Sequence, residues 1–159
     1  MKPEIAGLKE IKLIGMHINH SLSNNKTIEL WKKFMPRIKE LSGLKNSWHY
    51  AIQQYDYEIR KENFTPYTKF NIWAGVEVNS IENIPREMNS IVIPSGKYAK
   101  FMHKGDAKKF SETLNFIMNI WLPESQYELD SRVHFQIMKD KYLGENNPNS
   151  EEEIWIPIK

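Results

Sequence analysis

One stretch of this sequence shows most directly how the chain folds: Phe70-Asn71-Ile72-Trp73-Ala74-Gly75-Val76-Glu77-Val78. Every second side chain, from position 70 to position 78, is apolar, and the positions between them carry an amide, an indole, a glycine and a carboxylate. An alternation with a period of two is typical of a β-strand whose two faces meet different surroundings. We therefore predict a strand here, with an aliphatic face on the core.

The same order of elements occurs twice along the chain. Before this strand, the patterns predict a strand at 11–18, a helix from Ile28 to Leu41 that Pro36 kinks or divides, and a strand from Trp48 to Tyr57. After it, they predict a strand from Ile91 to His103, a helix at 110–121 and strands at 133–137 and 154–158. The fold class predicted is α+β: duplicated β-α-β-β units with pseudo-two-fold symmetry, at about 8–80 and 90–159, whose antiparallel sheets enclose a cleft within one domain, residues 1–159.

A short repeat of letters supports this duplication. Asn71-Ile72-Trp73 ends the first unit, and Glu153-Ile154-Trp155 ends the second. If the two strands correspond residue by residue, the pseudo-two-fold axis relates Trp73 to Trp155, and we expect both indoles to flank one cleft.

The composition excludes several classes of protein. The 159 residues include 22 Lys and Arg, 20 Asp and Glu and no cysteine, with a net charge of +2. Without cysteine there is no disulfide scaffold, thiolate metal site or cysteine nucleophile, and a reducing compartment suits the chain. The charges are mixed rather than blocked, so we expect no direct binding of nucleic acid. No apolar stretch approaches the ~18 residues of a membrane span, so we expect no membrane association and a cytoplasmic location.

The last strand carries the sharpest functional pattern. By alternation, Glu153 and Trp155 lie on one face and the isoleucines on the other, which places a carboxylate beside an indole. Aromatic faces attract a lipophilic cation by ~0.5–2 kcal/mol each, and a carboxylate supplies its counter-charge. The alternative is that residues 151–153 form a solvated acidic run.

Other aromatic side chains are candidates for the same cleft, with core packing as the alternative for each of them. They are Trp73, Tyr98, Phe101, Trp48 and Tyr50. The five histidines show no ligand spacing, because His17 and His20 would point to opposite faces of a strand, so we predict no metal site.

Four segments carry a resemblance to a known family. They are Ala74-Gly75-Val76-Glu77-Val78, Ile93-Pro94-Ser95-Gly96-Lys97-Tyr98-Ala99-Lys100-Phe101-Met102-His103-Lys104-Gly105, Trp121-Leu122-Pro123 and Glu153-Ile154-Trp155-Ile156-Pro157-Ile158. In this order they resemble the GyrI-like, AraC-type effector-binding domains, above all the stand-alone proteins of integron cassettes. The resemblance implies a duplicated β-α-β-β fold with an aromatic cleft, in which an acidic residue receives cationic, lipophilic compounds. It also implies a Phe-Glu-x-Tyr motif, from which Phe135-Gln136-Ile137-Met138 departs.

These observations predict a small-molecule effector or drug-binding domain, with no DNA-binding module, cofactor or metal, whose ligand is amphipathic and cationic. The predicted ligand-binding residues are Glu153, Trp155, Trp73, Tyr98, Tyr50, Trp48, Phe101, Gln136 and Met138. One alternative is a small hydrolase of strained or electrophilic molecules, in which Glu153 acts as general base and Tyr98 or another phenol polarises the substrate. Another is an adaptor or gyrase-inhibitor-like protein. Either a separate regulator or a target protein would then be its partner.

Overall fold

The computed structural model of this protein describes residues 1–56 and 59–159. Within these residues, eight strands form one antiparallel sheet in the order β1-β6-β8-β7-β3-β4-β2-β5. Their bounds are β1 Glu4–Leu8, β2 Ile11–His20, β3 His49–Gln54, β4 Phe70–Glu77, β5 Asn89–Ile93, β6 Gly96–Lys104, β7 His134–Met138 and β8 Glu151–Pro157. The central pair, β7 and β3, joins the two predicted units.

In the described residues, one main helical segment follows β2 in the first unit, and another follows β6 in the second. Helix α1 spans Thr27–Phe34 and continues as the 3₁₀ helix Met35–Glu40, while a short 3₁₀ turn, Lys61–Asn63, follows β3. Helix α2 spans Ala107–Phe116 and continues through the π-helical turn Ile117–Trp121 into α3, Leu122–Glu124. Pro36 stands where the α-helix becomes a 3₁₀ helix, so it divides the helix. The Asp106 side chain caps α2 by accepting a hydrogen bond from the Lys109 backbone N–H at 3.0 Å.

The connections show that the sheet curls. Two residues link β1 to β2, and two link β5 to β6, yet in both cases the linked strands lie towards opposite ends of the strand order. Such short links are possible when the two edges of the sheet approach each other. The inner face of this curl is filled by one buried cluster, which consists of Ile11, Leu13, Tyr50, Ile52, Trp73, Ile93, Tyr98, Phe135, Ile137 and Trp155.

The outer face of the sheet carries the helices, and we call it the helix face. Two separate clusters lie on it. One packs α1 against β2 and β4 and includes Leu30, Phe34 and Ile72. The other packs α2 against β6 and β8 and includes Ile117 and Ile156. The central strands β3 and β7 lie between these clusters, so the middle of the helix face is left uncovered by either helix.

The order β-α-β-β, repeated, was predicted from the sequence and is confirmed. Three details of the prediction were wrong. The single strand expected from Ile91 to His103 is two strands, because Pro94, which has no N–H to donate to a ladder, separates them. The strand at Glu4–Leu8 was not predicted. The strand expected from Trp48 ends at Gln54, and its expected end, Tyr57, lies outside the described residues.

Candidate functional site

A cavity of about 520 Å³ opens in the middle of the helix face, between the two helices. Its volume falls in the range typical of small-molecule sites, roughly 300–1,000 Å³. Residues of β4, β8, α1 and α2 line it, together with the segment that follows β3. The cavity exists because α1 and α2 each cover one unit of the sheet, while the central strands are covered by neither.

Two carboxamides form the floor of the cavity. Gln53 of β3 donates to the Gln136 side-chain oxygen at 2.8 Å, and Gln136 of β7 donates back to Gln53 at 2.9 Å. Gln136 is 4% exposed, and both residues line the cavity. The two residues lie diagonally across the β3–β7 pair, where Gln136 is opposite Ala51, which leaves room for the amides to meet. The floor is therefore polar but uncharged.

Aromatic rings form the wall on the side of the first unit. The Tyr55 ring lies 4.8 Å from the Phe70 ring, 6.0 Å from the Phe64 ring and 5.2 Å from the His134 ring, between centroids. Burial raises the pKa of Tyr55 to about 12 and lowers the pKa of His134 to about 4. Both groups are therefore neutral at pH 7. The opposite wall is mostly apolar and comes from the second unit, with Phe110, Leu114, Leu129 and Ile156.

The charged residues of the cavity lie around its margin. The Asp130 carboxylate accepts from the Arg132 Nε at 3.0 Å, and the same guanidinium donates to the Lys97 and Ile158 carbonyls at 2.7 and 3.0 Å. The Lys61 ammonium donates to the Met118 carbonyl at 2.8 Å, which ties the segment after β3 to the π-helical turn. Asp56 adds a second carboxylate and Arg60 a further guanidinium to the lining.

The structure brings most of the predicted site residues together, but on the inner face of the sheet. Trp73, Tyr98, Tyr50 and Trp155 belong to the inner cluster, Trp48 packs against it, and Glu153 lies on the same face of β8 as Trp155. The Trp155 ring stacks on the Phe135 ring at 5.6 Å, with 7° between their planes. The sheet separates this cluster from the cavity.

Glu153 is engaged by groups of the chain itself. The Trp155 indole N–H donates to its Oε1 at 3.0 Å, so the predicted carboxylate beside an indole is present. Its Oε2 lies 2.9 Å from the Lys139 Nζ and 3.7 Å from the Lys100 Nζ. The Lys139 Nζ also lies 4.0 Å from the centroid of the Trp48 ring. Here an ammonium group of the protein occupies the position that the sequence hypothesis gave to a ligand cation.

The remaining predicted residues divide between the cavity and the core. Gln136 is the one member of the predicted set that lines the cavity. Phe101 is fully buried beneath the second helical segment, where its ring meets the Trp121 ring at 5.1 Å. Met138 ends β7 opposite His49. The residues that the sequence analysis missed are chiefly Gln53, Tyr55 and Phe64. The signal for the first two was alternation along the strand predicted from Trp48, which places both on the face of Ala51 and its partner Gln136.

The repeated letters do not mark equivalent positions. Ala51 and Gln136 are paired at the centre of the sheet, and a two-fold rotation about this pair superimposes β3 on β7 and β2 on β6. The same rotation exchanges Ile52 with Ile137. Ile52 pairs with Trp73, whereas Ile137 pairs with Glu153. Trp73 is thus equivalent to Glu153 and not to Trp155, which lies two residues further along β8. Both indoles still belong to the inner cluster.

The acid–phenol pair of the hydrolase alternative does not form between Glu153 and Tyr98. Glu153 pairs with Met102 of β6, which lies about 13 Å along the strand from Tyr98 at 3.3 Å per residue. A different pair is present on the inner face, where the Tyr50 hydroxyl donates to Glu77 at 2.8 Å. Burial, and then this bond, raises the pKa of Tyr50. Tyr50 is 1% exposed, so this phenol is closed to a substrate.

In residues 1–56 and 59–159, no three His, Asp or Glu side chains are grouped so that they could hold a metal ion. Within that same part of the chain, no helix is long and apolar enough to cross a membrane.

Comparisons with known proteins give the family. The transcriptional regulator BrlR of Pseudomonas aeruginosa is 29% identical over 161 residues, which cover 99% of this chain and 56% of BrlR, so the chain spans little more than half of that relative. An integron cassette protein from the mobile metagenome of Vibrio cholerae has the same fold, with a TM-score of 0.70, 17% identity and coverage of 99% of this chain and 96% of its own.

The protein SAV2435, solved with tetraphenylphosphonium bound, also shares this fold. Its TM-score is 0.75 at 16% identity, and the match covers 100% of this chain and 94% of that one. The profile of the integron-associated effector-binding protein family, Cass2, matches residues 4–158. The chain therefore belongs to the family of integron-associated effector-binding proteins.

Proposed function

We propose that this protein binds an amphipathic, aromatic small molecule in the cavity between α1 and α2, and that it is an effector-binding module. The observation that carries the proposal is the cavity of about 520 Å³, with one aromatic wall and one largely apolar wall, over a neutral floor. A ligand that buries on the order of 300 Å² of apolar surface there gains roughly 7 kcal/mol at ~25 cal/mol per Å², before the costs of association.

The ligand that we propose carries a positive charge. The rings of Tyr55, Phe64 and Phe70 offer faces for cation–π contacts, and Asp56 adds a carboxylate at the margin. The binding of tetraphenylphosphonium by SAV2435, which shares the fold, supports this choice. Glu153 has no part in this proposal, because Lys139 and Lys100 already neutralise it on the inner face.

Binding without turnover is the activity that the floor supports. The hydrolase alternative needs a general base beside the substrate, and the floor presents the paired amides of Gln53 and Gln136 instead. BrlR is a transcriptional regulator of which this chain covers 56%. We propose that the present chain acts on a separate regulator or target protein when its ligand binds. Its lack of direct DNA binding stays a prediction.

A thermal-shift titration tests the proposal. Tetraphenylphosphonium should raise the melting temperature, because a ligand that binds the folded state stabilises it by mass action. Tyr55→Ala removes the central ring of the aromatic wall and should abolish most of the shift. Tyr67→Ala is the matched control, because Tyr67 is 78% exposed and does not line the cavity. No shift with the unaltered protein, or equal shifts for both variants, would contradict the proposal.

A further inference from the structure

The two glutamines at the cavity floor have hydrogen-bonding capacity beyond their mutual bonds. A carboxamide has two N–H donors and an oxygen with two lone pairs. The reciprocal bonds between Gln53 and Gln136, at 2.8 and 2.9 Å, use one donor and one lone pair of each. Each amide thus keeps one N–H and one lone pair for a third partner. The outer N–H and the outer oxygen lone pair of each carboxamide face away from the other glutamine.

The surroundings of the two glutamines strengthen the effect of these hydrogen-bonding groups on ligand binding. Gln136 is 4% exposed, and the rings of Tyr55 and Phe70 and the aliphatic side chain of Ile156 line the same cavity, so the Gln136 amide has little contact with water. The charged groups of the margin are mostly used within the chain, as in the Asp130–Arg132 pair and the Lys61 bond to Met118. His134 and Tyr55, which flank the floor, are neutral at pH 7 because burial shifts both pKa values, to about 4 and about 12. Ligand selection at this depth therefore depends on hydrogen bonds rather than on charge.

We propose that the Gln53–Gln136 pair determines the specificity of the cavity and selects aromatic ligands that carry a neutral amide edge, such as a carboxamide or a lactam. This inference rests on the proposed function, since it names the chemistry of the ligand in the same cavity. An amide edge places a donor and an acceptor side by side, which matches the free N–H and lone pair of a glutamine. A site built for such bonds discriminates strongly against an analogue that cannot form them, because its own buried groups then lose their partner.

The alternative is that the pair is purely structural and only stabilises the contact between β3 and β7, which we call a structural clasp. A clasp would contribute to stability in every variant, but it would not distinguish between ligands of one shape. The test is therefore the ratio of two affinities rather than stability or a single affinity.

The experiment measures binding of three probes by calorimetry: 2-naphthamide, methyl 2-naphthoate and tetraphenylphosphonium. We expect the unaltered protein to bind the amide at least about tenfold more tightly than the ester. Gln136→Met and Gln53→Met should bring this ratio close to one, while the affinity for tetraphenylphosphonium changes less than about threefold. Gln54→Met is the matched control and should keep the ratio, because Gln54 faces the inner cluster, where its oxygen accepts from the Trp73 indole N–H at 3.0 Å.

The outcomes separate the two proposals. Binding of tetraphenylphosphonium with no preference of the unaltered protein for the amide, or with no binding of either naphthalene probe, overturns the inference and leaves the proposed function standing. A preference that survives in both Gln136→Met and Gln53→Met overturns the inference as well. Failure of all three probes to bind overturns the proposed function and this inference with it. A ratio close to one in the unaltered protein refutes the inference by itself, so this refutation does not depend on how well the variants fold.

Discussion

The ion pair between Glu153 and Lys139 gives a quantitative prediction that distinguishes the inner face from the cavity. The Glu153 side chain is 7% exposed and the Lys139 side chain 35%, and their charged atoms are 2.9 Å apart. Hydrogen bonds to charged groups contribute about 1.5–3 kcal/mol. Since Lys139 is partly solvated, the contribution of its ion pair with Glu153 belongs at the lower end of this range or slightly below it. Glu153→Gln keeps an acceptor for the Trp155 indole but loses the charge, so we expect the free energy of unfolding to fall by about 1–2 kcal/mol.

Urea denaturation measures this loss, and for a domain of this size it corresponds to a melting temperature lower by roughly 2–8 °C. In a double-mutant cycle with Lys139→Met, we expect a coupling energy of about 1 kcal/mol. Glu151→Gln, at the start of the same strand, is the control and should change stability by less than about 0.5 kcal/mol. The affinity for tetraphenylphosphonium should be unchanged in Glu153→Gln.

Two results would refute this reasoning. If Glu153→Gln is as stable as the unaltered protein and shows no coupling to Lys139→Met, the pair does not stabilise the fold. If the variant binds tetraphenylphosphonium more than about fivefold more weakly, at a cost of about 1 kcal/mol, Glu153 serves the ligand as the sequence hypothesis held.

Further predictions concern the aromatic wall of the cavity, the close approach of β2 to β4 at Gly15, and the pH dependence of stability. Tyr55→Ala should weaken tetraphenylphosphonium binding by about 1–3 kcal/mol in calorimetry, since it removes a partly buried ring of the wall, whereas Tyr67→Ala should leave the affinity unchanged. Gly15→Ala should lower the free energy of unfolding by more than about 2 kcal/mol in urea titrations, because a Cβ there would overlap the Ala74 carbonyl oxygen; a loss below about 0.5 kcal/mol would show that the strands can separate. Burial raises the pKa of Glu152 to about 7 from 4.5, so its contribution to stability is fully present below pH 4.5 and is lost as the pH rises through 7. Glu152→Gln should therefore flatten the decline in stability between pH 5 and 8, and an unchanged decline would place its origin elsewhere.

Much of the fold could be predicted because it is encoded in local patterns. Alternation at 70–78 gave β4, helical spacing gave α1 and α2, and Pro36 gave the division of the first helix. The strand β1 could not be found in this way, because its five residues pair with β6, which is far away in sequence. The curl of the sheet likewise depends on which edges meet, and a single sequence carries no direct signal for that.

The candidate site was less predictable, because alternation assigns residues to faces but does not say which face borders a cavity. The adjacency of Glu153 and Trp155 followed from the period of two and is present. The approach of Lys139 to Glu153 did not follow, since it brings a residue beyond the end of β7 over the neighbouring strand. Gln53 lies near the polar end of β3 and Tyr55 follows the strand, and both line the cavity only because the two helices leave the central strands uncovered.

Intermolecular nuclear Overhauser effects between tetraphenylphosphonium and the methyl groups of the protein test the central claim most directly. They report which face of the sheet the ligand contacts. We predict contacts from the phenyl protons to the methyl groups of Leu114, Met118 and Ile72, which line the cavity. Contacts to Leu13 and Ile137 of the inner cluster, without any to the cavity set, would contradict the account.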